Sequence, residues 1–347
     1  MRYLLASDNW SGAHPEVLDA LIEANAGEEM SYGRDRYTER LQEIIKSRFG
    51  SRAEAFPVFN GTGANVVALQ SMQPSWGGVI CASTAHVNTD EGGAPERVAG
   101  LKMLPAPTPD GKLTPQHVRD LARDFGNVHH AQPSVVSITQ STELGTLYTP
   151  DEIGVISELA HGYGMSVHLD GARLANAAAA LDVPLRALTT DVGVDVISLG
   201  GTKNGLLFGE LVVILDPARS VGIGYILKYT MQLASKMRFI SAQFIALLEG
   251  DLWLRGARQA NAQAALLRTL VEDVPGLRIT QPTQANAVFA ILPPAIEDAV
   301  RRIAEFQTWN SVTGEVRWMC SHETTDATVR GFAAALHELS AGLTAGR

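Results

Sequence analysis

A chain of 347 residues with 46% hydrophobic side chains and a mean hydropathy near zero has the make-up of a folded globular protein, long enough for a large domain and a smaller one. Its net charge of −9, with acids spread along the chain and no basic cluster, argues against a nucleic-acid-binding face, and no apolar run has membrane-spanning length. Cys81 and Cys320 are too far apart for a metal-spaced pair and read as buried thiols of a reducing cytosol, and the N-terminus is too poor in apolar residues for a signal peptide, so a cytoplasmic location is expected.

In chain order, Ser7-Asp8-Asn9 follows a short apolar start. Pro15 is placed to open a helix that carries Val17, Leu18, Leu21 and Ile22 on one face. A polar loop at 31–36 carries Tyr32, suited to stack on a ligand or to pack against a neighbouring subunit. A second helix is expected over 38–49, with Leu41, Ile44 and Ile45 inward. The strand at 56–59 runs into Asn60-Gly61-Thr62-Gly63-Ala64-Asn65, a small-residue turn that opens a helix. Free backbone N–H groups and the helix dipole make such an end an anion site. Gly61 and Gly63 let the backbone approach a phosphate, and Thr62 adds a hydroxyl. The rival reading, a dinucleotide loop, is weakened because the third glycine of Gly-x-Gly-x-x-Gly is missing and no strand-end acid stands at the expected distance. A plain helix start is the bland alternative.

Another buried strand at 79–82 leads into Ser83-Thr84-Ala85-His86. A histidine at a strand's C-terminal end faces the ligand crevice of an open α/β sheet, where its flat ring can lie on a planar cofactor. Asp90 or Glu91 can orient that ring. Thr114-Pro115 starts a helix with Thr114 as its cap. His129 and His130 precede a strand at 135–139; adjacent residues of a strand point to opposite faces, so no metal site is expected there. Gln140 stands at the C-terminal end of that strand, and a helix follows over 150–163.

Val167-His168-Leu169-Asp170-Gly171-Ala172-Arg173 puts an aspartate at the end of the next strand. An Ala-rich helix at about 172–181 and the β-branched run 192–197 then lead to Ser198-Leu199-Gly200-Gly201-Thr202-Lys203. Desolvation and nearby cations lower an ammonium pKa, and the neutral amine can then form a Schiff base with an aldehyde. A strand-end Asp followed by a strand-end lysine is the arrangement that pyridoxal 5′-phosphate enzymes use: the acid holds the pyridine nitrogen protonated and the lysine carries the cofactor. His86, Gln140, Asp170 and Lys203 all occupy strand C-terminal ends in a strand–helix alternation that predicts a mostly parallel central sheet with helices on both faces, an α/β fold.

The strand at 211–215 is followed by an interrupted helical stretch, 217–248, carrying Lys228, Lys236 and Arg238. A long helix from 251 to about 274, a strand at 287–291, a helix over 294–305, a strand at 315–319 and a last helix from 326 suit a small C-terminal α+β domain. The expected division is 1–250 and 251–347. Arg317, within a strand of the second part, is a natural bidentate anchor for an amino-acid carboxylate.

Taken together, Ser7-Asp8-Asn9, Tyr32-Gly33, Gly61-Thr62-Gly63-Ala64-Asn65, Ala85-His86-Val87-Asn88, Asp90-Glu91-Gly92-Gly93, Ser137-Ile138-Thr139-Gln140-Ser141-Thr142-Glu143, His168-Leu169-Asp170-Gly171-Ala172-Arg173, Gly201-Thr202-Lys203-Asn204-Gly205 and Lys236-Met237-Arg238-Phe239 resemble the low-specificity threonine aldolase and phenylserine aldolase family of fold-type I pyridoxal-phosphate enzymes over most of the chain. The resemblance implies that Lys203 bonds the cofactor, Asp170 pairs with its pyridinium nitrogen and His86 stacks on its ring. Gly61, Thr62 and Asn65 would hold its phosphate, with Arg238 reaching it from a partner subunit of a homodimer or homotetramer. Ser7, Arg173 and Arg317 would hold the substrate carboxylate, Tyr32 would line the site, and His129 would stand near the substrate hydroxyl. The implied reaction is cleavage of a β-hydroxy-α-amino acid to glycine and an aldehyde, with His86 or His129 as the base. Arg34 replaces a usual acid, Tyr229-Thr230-Met231-Gln232 replaces a usual Arg-Ser-Gly-His, and Trp10 replaces a smaller residue. A β-eliminating lyase or a transaminase, and a catalytically silent binding module on the same fold, are the competing readings.

Overall fold

The apolar runs assemble into a seven-stranded sheet. In the computed structural model, which describes residues 2–345, its strands are β1 (Glu54–Val58), β2 (Gly77–Ala82), β3 (Lys102–Ala106), β4 (Gln132–Thr139), β5 (Ser166–Gly171), β6 (Val196–Leu199) and β7 (Glu210–Ile214). The spatial order is β1-β7-β6-β5-β4-β2-β3, and β7 is the strand of this sheet that runs against the rest. Parallel strands covered on both faces carry continuous apolar runs, and the buried side chains divide accordingly. Ile80, Val136, Ile197 and Val213 enter one core cluster, while their chain neighbours Val79, Val135, Val196 and Val212 enter the other. Helices Arg36–Phe49, Pro150–Gly162 and Leu174–Leu181 close the first cluster and Gly61–Ser71 the second. Pro57 and Pro105 fall in the edge strands β1 and β3, where a missing ladder donor is tolerated.

A four-stranded antiparallel sheet follows, ordered Gln307–Asn310, Glu315–Met319, Ala287–Ile291, Arg278–Ile279. Helices Leu252–Val271, Pro294–Ile303 and Asp326–Ala345 pack on it around Trp318 and Phe332. The structure amends the sequence reading in three places. Gln307–Asn310 is an unforeseen strand, because its polar Gln-Thr-Trp-Asn sits at a sheet edge and needs no apolar alternation. The helix expected to reach 305 stops at Ile303, since Ala304–Glu305 pairs in parallel with Tyr3–Leu4 and so ties the start of the chain to its last third. On helix Pro15–Ala24 only Val17 and Ala24 are buried, while Leu18 and Ile22 are 43% and 73% exposed, because the helix meets Arg238–Leu248 through its alanine face. Both cysteines are free and buried, and burial pushes each thiol up to about 12. Among the described residues no helix is long and apolar enough to cross a membrane.

Beneath the C-terminal edge of the sheet, His168 is fully buried on β5. Its Nδ1 meets Ser137 Oγ of β4 at 2.9 Å and its Nε2 meets Ser198 Oγ of β6 at 3.0 Å. Burial lowers its pKa to about 4, so the folded ring is neutral. Between about pH 4 and 6.5 the unfolded chain therefore binds the proton that the folded chain refuses, and stability rises with pH across that window. Lowering the pH from 7 to 5 is expected to cost the wild type about 2 kcal/mol more than a His168→Asn variant. Denaturant unfolding at the two pH values measures this, and an equal loss in both proteins contradicts it.

Candidate active site

Parallel strands place their C-terminal ends along one edge, and the polar residues of the sequence motifs gather there. Asp170 is the penultimate residue of β5 and is 4% exposed. Its Oδ1 accepts the Ala172 N–H at 3.0 Å, and its Oδ2 accepts Asn65 Nδ2 at 2.9 Å. Asn65 Nδ2 also donates to Glu91 Oε1 at 2.7 Å, and that oxygen meets His86 Nδ1 at 2.9 Å. Asp170, Asn65, Glu91 and His86 thus form one connected network drawn from β5, helix Gly61–Ser71 and the segment after β2. The Glu91 contact raises the His86 pKa.

Lys203 follows β6 on a loop whose glycines have no room for a side chain: a Cβ on Gly200 would collide with the Ala172 backbone, and one on Gly201 with Leu206 and Phe244. This closeness carries the lysine beside the Asp170 strand. Burial first, and the Arg173 cation second, lower the Lys203 pKa, while Asp8, Asp170 and Glu210 pull the other way. Glu210, whose carboxylate accepts the Gly201 N–H, is raised to about 7 by burial.

A cavity of about 260 Å³ is lined by Gly61, Thr62, Asn65, His86, Asp170, Arg173 and Lys203. Its floor is the start of helix Gly61–Ser71, where Asn60 Oδ1 caps the Gly63 N–H at 2.8 Å. No acid stands in the first turn, and open space surrounds the position of a Cβ on Gly61. An outer cavity of about 740 Å³ holds Ser7 and Arg317 and shares Asn9, His86, Glu143, Arg173 and Lys203 with the inner one. Arg317 is pushed down to about 10 by burial and by Arg173, and its guanidinium lies 4.9 Å from the Trp309 ring centre. Its Nε is buried without a partner.

The structure therefore brings Lys203, Asp170, His86, Gly61, Thr62, Asn65, Arg173, Ser7 and Arg317 together. Four expectations change. The Asn65 amide is spent on the Asp170 and Glu91 carboxylates and is turned away from a phosphate role. Gln140 is fully buried and bonds the Tyr148 backbone at 2.8 and 3.1 Å, so it braces the loop after β4 and does not line the cavity. His129 is exposed in the turn before β4, a strand length of roughly 25 Å from the cavity edge. Tyr32 is 47% exposed, packs against Lys228 and does not line the cavities of its own chain. Arg238, expected to act on a partner subunit's site, donates to the Gly27 carbonyl of its own chain at 3.2 Å. Gln232, in one of the departing stretches, accepts the Phe59 N–H at 3.0 Å and fills the space a Cβ on Gly63 would need.

Sequence reasoning missed Asp8. It is 1% exposed and takes Arg173 in a two-pronged pair, Nε at 2.7 Å and Nη2 at 2.9 Å, across 165 residues of chain. Burial opposes its charge, but Arg173 outweighs burial and holds Asp8 below the usual carboxylate range. An isolated acid beside a short apolar start carries no signal of a partner so far away.

The residue set fits pyridoxal 5′-phosphate: a half-buried amine of lowered pKa, a fixed carboxylate, an imidazole braced from one side and a helix start free of acids, all in one cavity. Comparison with known proteins agrees. The family described as beta-eliminating lyase matches residues 5–293. The low specificity L-threonine aldolases of Pseudomonas sp. (strain NCIMB 10558) and Pseudomonas aeruginosa are each 44% identical to this chain, covering 95% and 94% of it and 95% of their own lengths. A solved threonine aldolase of Leishmania major superposes with a TM-score of 0.92 at 28% identity, over 97% of this chain and 99% of its own.

Proposed function

Since the chain belongs to the beta-eliminating lyase family, we propose that it is a pyridoxal 5′-phosphate-dependent aldolase that cleaves L-β-hydroxy-α-amino acids of the threonine or phenylserine type to glycine and an aldehyde. The observation that carries this is the Lys203 amine, half-buried and of lowered pKa, in one cavity with the braced Asp170 carboxylate and the start of helix Gly61–Ser71. The bound cofactor supplies a lysine-linked aldehyde and a protonated ring that takes up the electron pair of the broken bond.

The chain's own residues then divide the work. Asp170 would face the ring nitrogen, held in place by Asn65 and the Ala172 N–H. His86, steadied by Glu91, offers its ring face. Gly61 and Thr62 present the helix start to the phosphate. Ser7, Arg173 and Arg317 meet the substrate carboxylate, which orients the Cα–Cβ bond. Asp8 sets the guanidinium plane of Arg173.

The assembled enzyme is a homodimer or homotetramer acting in the cytoplasm, with Arg238 of one subunit completing the phosphate site of another. The exposed Leu18, Ile22 and Met30 support such an interface. Residues 1–250 form the cofactor-bearing domain and 251–347 the smaller one.

The test is glycine release from L- and D-β-hydroxy amino acids with added cofactor. Glycine plus aldehyde from the L set is expected. Keto acid and ammonia without glycine would replace this reading with β-elimination, the reaction in the family's description.

A further inference from the structure

Five residues line both cavities: Asn9, His86, Glu143, Arg173 and Lys203. They mark the junction where a substrate in the outer cavity meets the lysine. Arg173 is committed to Asp8, Asn9 does not titrate, and His86 is committed to Glu91 through Nδ1. Glu143 is different. Its Oε1 accepts the His86 backbone N–H at 2.8 Å, but its buried Oε2 makes no close hydrogen bond, with the Thr139 side chain in the neighbourhood of the carboxyl. A carboxylate oxygen in that state costs free energy unless a ligand supplies the missing partner. The loop that carries it is rigid, braced by the Gln140–Tyr148 pair and by Thr142 Oγ1 against Thr146 Oγ1 at 2.7 Å.

Resting on the aldolase reading, we propose that Glu143 is the residue that takes the proton of the substrate's β-hydroxyl. In that step the O–H bond breaks, its proton goes to Glu143 Oε2, and its electron pair becomes the second bond of the aldehyde carbonyl. The Cα–Cβ pair leaves with Cα, which takes up a proton to become the methylene of glycine. Glu143 then releases its own proton, so the count closes. Burial and the nearby Asp170 raise the Glu143 pKa to about 7, where a carboxylate serves both as acceptor and as donor. Asp170, Arg173, Cys81 and Tyr148 are the other titratable groups that interact with it, and His86 and Lys203 line the same cavities.

The test compares wild-type holoenzyme with Glu143→Gln and Glu143→Asp, using threonine and phenylserine for cleavage and glycine for solvent exchange of an α-hydrogen, a reaction without a β-hydroxyl. Glu143→Gln is expected to lower kcat for cleavage about 10²–10⁴-fold, with glycine exchange and cofactor affinity held within about threefold. In the wild type, kcat/KM should rise with pH through a midpoint near 7, and pH-difference infrared spectra should show a carboxyl titrating there. Both features should be absent from Glu143→Gln and present in Glu143→Asp, which guards against a folding artefact. Retained cleavage, or cleavage and exchange falling together, overturns the proposal, as does a titration unchanged in Glu143→Gln. If the wild type exchanges glycine but releases none from any β-hydroxy acid, the aldolase reading has failed and the proposal goes with it.

Discussion

Lys203→Ala is expected to abolish turnover and to remove the long-wavelength absorbance of a lysine-linked pyridoxal 5′-phosphate. The expectation follows from position. Gly200 and Gly201 bring the loop against the Ala172 backbone and Leu206, and Lys203 lines the cavity that also holds Asp170. Burial and Arg173 lower the Lys203 pKa, which favours the neutral amine that acts as the nucleophile. Alanine removes that nucleophile, while the glycines and Glu210, which holds the Gly201 N–H, keep the loop in place. The fold should therefore survive and the chemistry should not. Absorbance spectra and glycine release measured on the same preparation decide the matter; wild-type turnover in the variant would sink the whole mechanism.

Asp170→Ala is expected to weaken cofactor binding and to lower activity about 10²–10⁴-fold, the equivalent of ~3–5 kcal/mol for removing one partner of a buried charge pair. The change also breaks the local network. Asn65 Nδ2 keeps only Glu91, and the Ala172 N–H loses its acceptor. Asp170→Asn separates the two effects, since it keeps the shape and the acceptor but not the charge. If charge at the ring nitrogen is what matters, Asn and Ala should be nearly equally inactive, and cofactor titration should rank wild type above both. An Asn variant with full activity would leave Asp170 a purely structural part.

The framework was legible because it is written in local patterns. The β-branched runs around Val79, Val135, Val196 and Val212 read as strands covered on both faces, and the strand–helix alternation pointed to a mostly parallel sheet, in which the Val212 strand alone runs against the rest. Strand ends then placed Asp170 and Lys203 along one edge. The turn Asn60-Gly61-Thr62-Gly63 announced its helix by small residues and a capping side chain.

What the sequence could not decide is which polar groups spend their hydrogen bonds on each other. Asn65 looked like a phosphate ligand because it follows the glycine turn, yet one helical turn swings its amide onto Asp170 and Glu91. Gln140 stood at the right strand end, but its amide closes the loop to Tyr148. Asp8 and Arg173, 165 residues apart, meet because the chain's start is clamped to Ala304–Glu305, a pairing without local trace. His129 belongs to the segment before β4 and so to the opposite end of the sheet.

The sequence by itself determined the α/β architecture and the placement of Asp170 and Lys203 at strand ends, because strand period, turn composition and residue type act over a few residues. Only the tertiary structure decided how the carboxylates of Asp8, Glu91, Asp170 and the partly buried Glu143 are partnered. A charge removed from water must find its partner wherever the fold brings one, and that distance is set by topology.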